Sequence, residues 1–176
     1  MNVPRPILVA GIGNIFLGDD AFGSEVAREL KYRVWPDHVR VEDFGIRSYD
    51  LAYALMDGPD AILIDAVPRG EAPGTVYLIE PDLDPLGAAT APDGHSMNPV
   101  SVLQMVRSLD GKTGRIFLVG CEPSVLECEE GELGLSAPVQ AAVPEAIALV
   151  ERVVADLIYN RNPVRPVLAE SLKETR

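Results

Sequence analysis

Residues 6–23, PILVAGIGNIFLGDDAFG, decide the fold. The run PILVAGIG (6–13) is apolar and ends in glycines, as a buried parallel strand does. A helix is expected from about Asp19 to Arg33, because Phe22, Val26, Ala27 and Leu30 fall at helical spacing. Strand, glycine loop and helix together resemble the opening of a phosphate-binding α/β unit. Gly11 and Gly13 match the first two positions of GxGxxG, but Phe16 occupies the third. Asp19 and Asp20 then stand at the helix start, where free N–H groups and the dipole attract an anion. Carboxylates there satisfy those groups from within and repel a pyrophosphate. The loop therefore argues against a nucleotide. Plain capping is the bland alternative, with Asp19 closing the helix and Asp20 a solvated first-turn acid.

Outward from this stretch the chain alternates strands and helices. VRVEDFG (39–45) reads as a second strand and SYDLAYALMD (48–57) as a helix with Ser48 at its N-cap. DAILIDA (60–66) is a third strand, apolar until Asp65, and GTVYLIE (74–80) a fourth. Residues 81–97 have three prolines and no periodicity, and read as a long loop of the kind that often carries function. NPVSVLQMVRSL (98–109) is a helix with Asn98 at the N-cap and Pro99 at its first position. RIFLVGC (115–121) is the fifth strand. A last helix begins near Ser136–Pro138, with Pro144 predicting a kink or a late start. The expectation is one α/β domain over 1–159, a three-layer α/β/α sandwich on a mostly parallel, twisted sheet of about five strands. Residues 160–176 are expected to be a loosely ordered tail.

The formal charge of −12 and pI near 4.5 exclude a nucleic-acid partner and an anionic membrane surface on electrostatic grounds. No apolar run approaches the ~20 residues that span a bilayer. Cys121 and Cys128 form neither a CxxC pair nor a disulfide framework, so a cytoplasmic chain with reduced thiols is expected.

In open α/β sheets, ligands bind beyond the carboxyl ends of the strands. Asp20 follows the first strand, Asp65 ends the third, and His95 lies in the loop after the fourth. A carboxylate such as Asp65 ending an apolar strand is costly to bury unless paired, protonated or metal-bound; alternatively it caps the following turn. His95 could equally be a solvated loop residue, and His38 needs no special role. Two carboxylates and an imidazole suit a divalent transition metal with coordination positions left open.

At these residues the sequence resembles the [NiFe] hydrogenase maturation endopeptidases, over about residues 6–158. GIGNIFLGDDAFG resembles that family's opening motif, LIDA (63–66) its central strand, and GHSMNPVSVL its histidine loop and helix. VGCEP (119–123) and LGLSAPV (133–139) resemble its later landmarks. The resemblance implies a phosphorylase/hydrolase-like fold and an aspartic-type, metal-dependent protease. Its partner would be the nickel-loaded hydrogenase large-subunit precursor, from which it would remove the C-terminal peptide. It further implies that Asp20, Asp65 and His95 are the ligands of a nickel carried by the precursor, a site that Cd2+ or Zn2+ can also occupy. Asp43 would be an assisting acid, although Phe44 and Ile46–Arg47 depart from the family's pattern beside it. A monomer is expected. No Ser–His or Cys–His nucleophile is evident, so a water activated by metal and Asp is expected to attack the peptide carbonyl. A nickel-checking assembly factor that does not cut, and a small-molecule hydrolase on the same fold, are the alternatives.

Overall fold

The computed structural model describes residues 4–81, 99–124 and 133–159. Nine elements follow in chain order: β1 (Ile7–Ile12), α1 (Phe22–Leu30), β2 (Val39–Gly45), α2 (Ser48–Met56), β3 (Asp60–Ala66), β4 (Val76–Ile79), α3 (Pro99–Ser108), β5 (Ile116–Cys121) and α4 (Ala137–Ile158). The strands form one five-stranded sheet in the order β2–β1–β3–β5–β4. Pairing is parallel throughout except between β4 and β5. The expected mostly parallel sandwich is therefore present, with an antiparallel edge.

Strand alternation splits the core in two. Ile7 and Val9 of β1, with Ile62 and Ile64 of β3, face a cluster completed by Phe22, Val26 and Leu30 of α1 and the apolar stripe of α4. Leu8, Ala10, Leu63 and Leu118 face the other way, against Leu51 and Leu55 of α2 and Val102, Leu103 and Val106 of α3. The helix after β1 thus lies on one face and the helix after β2 on the other. The chain leaves β1 toward β2 on one side and returns to β3 on its other side. The boundary between β1 and β3 is the topological switch point at which such sheets open a crevice.

Three local expectations are corrected. The helix expected from Asp19 begins at Phe22, because Gly18–Ala21 tightens into a single 3-10 turn. Ser48 is not the N-cap of α2: Arg47 holds that position, and buried Ser48 is the first helical residue. Pro144 does not delay α4, which runs unbroken from Ala137; the Pro138 ring sits in its first turn, where a missing N–H costs nothing. The tail 160–176, the loop 82–98 with its Asn98 cap, and Cys128 lie outside the described residues.

Glycines shape the first βα connection by permitting close approach. A Cβ on Gly23 would overlap the carbonyl oxygens of Ile12 and Ile64, so α1 rests directly on the backbone of β1 and β3. Gly13 has φ of +142°, and a Cβ there would overlap the Asp20 carbonyl oxygen. The glycines that look like a phosphate cradle instead bring the 3-10 turn onto the sheet.

Candidate active site at the carboxyl end of the sheet

The two adjacent aspartates have different fates. Asp19 is only 1% exposed. Its carboxylate accepts the Ser124 N–H at 2.8 Å, the Ser136 N–H at 2.7 Å and the Ser136 hydroxyl at 2.9 Å. It ties the first βα turn to the segments after β5 and before α4, which is a structural role rather than a helix cap. Asp20, half-buried, accepts the Asn14 N–H at 2.8 Å on Oδ2. Burial raises its carboxyl above the ordinary 3.8, against the lowering effect of the Asn14 bond. Neither is the solvated first-turn acid of the capping alternative.

Asp65, at the end of β3, is 5% exposed. Its one hydrogen bond among the described residues is from the Ala66 N–H, at 2.9 Å. Burial first, and then the negative charge of Asp20, raise its carboxyl well above 3.8, with the Ala66 bond opposing them. The electrostatic coupling shows that residues 20 and 65 converge at the switch point, as their places after β1 and on β3 require. His95, the third expected ligand, falls outside the described residues; among those described, no group of three or more His, Cys, Asp or Glu side chains could hold a metal.

Asp43 sits near the end of β2, in register with Gly11 of β1. Its Oδ1 accepts the hydroxyl of buried Ser24 at 2.8 Å and the Gly45 N–H at 3.0 Å. The Arg47 guanidinium donates to its carbonyl at 2.6 Å, so Arg47, which departs from the expected pattern, helps fix this segment.

A further buried carboxylate, missed from the sequence, follows β5. Glu122 accepts the Tyr77 hydroxyl at 2.5 Å and the N–H groups of Arg69 at 2.7 Å and Gly70 at 3.2 Å. Burial pushes this carboxyl up, but the Tyr77 hydroxyl and the N–H groups of Arg69, Gly70 and Glu71 outweigh burial and hold it below the ordinary 4.5. The hints in the sequence were a charge directly after an apolar strand and its place in VGCEP (119–123). Cys121 beside it is buried, and burial together with the charges of Asp19, Glu122 and Glu145 pushes its thiol up to about 12. Such a thiol is no nucleophile near neutral pH.

A sequence model of the hydrogenase maturation proteases, HycI, matches residues 24–153. The chain is 31% identical over 153 residues to the hydrogenase 2 maturation protease of Escherichia coli K12, covering 86% of this chain and 90% of that protein. Among solved structures, the hydrogenase maturating endopeptidase HybD from E. coli superposes with a TM-score of 0.68 at 28% identity, over 92% of this chain and 98% of that one. The [NiFe] hydrogenase maturation protease HycI from Thermococcus kodakarensis KOD1 superposes at 0.58 and 26% identity, over 89% and 94%. With a family match over most of its length and the same α/β fold beneath it, this chain belongs to the hydrogenase maturation protease family.

Proposed function

We propose that the protein is the endopeptidase that removes the C-terminal peptide of a nickel-loaded [NiFe] hydrogenase large-subunit precursor, reading the substrate's nickel through Asp20, Asp65 and His95. The observation that carries this reading is the under-solvated carboxylate pair. Asp20 and Asp65 each accept one backbone N–H among the described residues; burial raises both, and the charge of Asp20 raises Asp65 further. A divalent cation delivered by the precursor would relieve that repulsion, and oxygen donors with an imidazole suit nickel, cadmium or zinc. Bound there, the cation would polarise the scissile carbonyl.

The chain's own residues supply the rest. In this reading an ionised Asp20 or Asp65 accepts the proton of the attacking water. Asp43 keeps Oδ1 engaged by Ser24 and Gly45, which aims its other oxygen and lets it orient substrate as an assisting acid. Cys121 is excluded as nucleophile by burial and by its raised thiol. Ser24 is fully buried with its hydroxyl donated to Asp43, so it does not attack either.

The test mixes purified protein with nickel-loaded precursor and with nickel-free precursor, and follows intact mass. The expected result is loss of one C-terminal peptide from the loaded form only. A stable complex with no mass loss would identify a checking factor instead.

A further inference from the structure

Beside Asp65, between α3 and the sheet, lies a cavity of about 170 Å³. Leu63 and Leu118 form its floor, Val100 and Leu103 of α3 its roof, and Val67 its side, with Asp65 the one charged group among the described residues that line it. Leu63 and Asp65 are two apart on β3, so both project to the same face of the sheet. The carboxylate therefore opens directly onto an apolar hole. Tight packing is the rule in a core whose remaining layers are built from Leu, Val and Ile, so an apolar space of this size at a sheet's ligand-binding end calls for an occupant. An apolar cavity of about 150 Å³ is enough to take a benzene-sized group.

We infer that this cavity is the specificity pocket for one large apolar side chain of the substrate, that of a residue flanking the scissile bond. The inference rests on the protease reading above. A peptide whose reacting carbonyl lies at the Asp20–Asp65 pair must send a neighbouring side chain into the space next to Asp65. Among the described residues, the wall there offers a charged or hydrogen-bonding group no side-chain partner other than a like-charged carboxylate, which rejects acidic side chains. Filling the cavity also removes water from around Asp65. Apolar pockets discriminate by volume, with a methylene worth roughly 10–200-fold.

The experiment has two arms. In the first, nickel-loaded precursors carry Gly, Ala, Leu, Phe or Asp in turn at each position flanking the scissile bond, and kcat/KM is measured for the parent, Val100→Phe and Leu103→Ala proteins, with thermal unfolding confirming that each is folded. At one flanking position the parent should prefer Leu over Gly by at least about 10-fold and reject Asp. Val100→Phe, at a half-buried site, should shrink the Leu-to-Gly ratio, and Leu103→Ala should move the preference toward Phe. In the second arm, synthetic peptides of the same junctions are titrated while the methyl resonances of Val100 and Leu103 are followed by NMR. Leu and Phe peptides should shift them and Gly peptides should not. If the parent cuts every precursor equally and the methyl groups ignore every peptide, the pocket assignment is overturned while the protease reading stands. If nothing is cut but the methyl groups respond to Leu and Phe peptides, the pocket stands and the protease reading falls.

Discussion

Asp65 and Glu122 expose equally little surface, 5% each, at the ends of the neighbouring strands β3 and β5. Their surroundings are opposite. Glu122 meets a hydroxyl and three backbone N–H groups, and its carboxyl is held low. Among the described residues the Asp65 side chain meets one N–H and another carboxylate, and its carboxyl is pushed high. Asp65 lies deeper than Glu122 and loses more hydration, and the donors returned to the two carboxylates differ as well. A saturated buried acid is a fastener, joining the β3–β4 connection to the end of β5. An unsaturated one, coupled to a like charge in a crevice, is what the proposed reading takes as a ligand site.

Breaking the ligand-facing side should have the largest effect. Asp65→Asn and Asp20→Asn should each lower cleavage of the nickel-loaded precursor on the order of 100-fold or more, with the fold intact. Unfolding in urea should show stability within about 1 kcal/mol of the parent, or above it, because a repulsive buried charge has been removed. Parent-like cleavage by both folded variants would return these residues to a structural role. The fastener should break the other way. Glu122→Ala should cost about 2 kcal/mol, since it strands several donors, while activity per folded molecule survives. A fully folded but inactive Glu122→Ala protein would erase the contrast.

Acid should separate the two as well. Glu122 has a folded-state value below 4.5, so its stabilisation is present above the unfolded value and is lost as pH falls through the folded one. Asp65 has a folded-state value well above 3.8, so in the metal-free protein its cost is absent below the unfolded value, grows as pH rises from there toward the folded one, and is complete above it. Urea midpoints against pH should therefore be flatter for Glu122→Gln below about pH 4.5 and flatter for Asp65→Asn above about pH 4, by the sign of each shift. The reverse assignment would show that the two environments had been misread. A smaller loss, about 1 kcal/mol, is expected of Tyr77→Phe, which removes one donor from Glu122. The smallest effect belongs to Cys121: alkylating reagent at neutral pH should leave it unmodified in the folded protein, read by peptide mass, because its thiol is buried and pushed up to about 12.

The sheet was legible because its strands are short apolar runs whose ends are marked by glycine or charge. The expected strands at 39–45 and 60–66 coincide with β2 and β3, and the others differ only at their ends. Asp20 and Asp65 were legible for a related reason: one lies in the connection after β1 and the other near the end of β3, where topology alone brings them to the crevice. Asp19 was not. Its partners are two backbone N–H groups and one hydroxyl, 105 and 117 residues away, and backbone donors leave no mark on a sequence. Glu122 was hidden likewise, by N–H groups 52 and 53 residues earlier. Local helix chemistry misled at Ser48 because the hydroxyl is buried in the first turn instead of standing outside it.

The bonds from Asp19 to Ser124 and Ser136 also bear on when the molecule can work. All five strands are complete once Cys121 has been made, yet neither of those partners, nor any of α4, has then emerged. Contacts of such long sequence separation form late, after the entropy of closing the loop has been overcome. The turn that carries Asp20 is thus fastened by groups from the last third of the chain. A molecule made only as far as Cys121 holds its strands and its acids but lacks the bonds that fasten the turn, so in the protease reading competence arrives with the C-terminal helix.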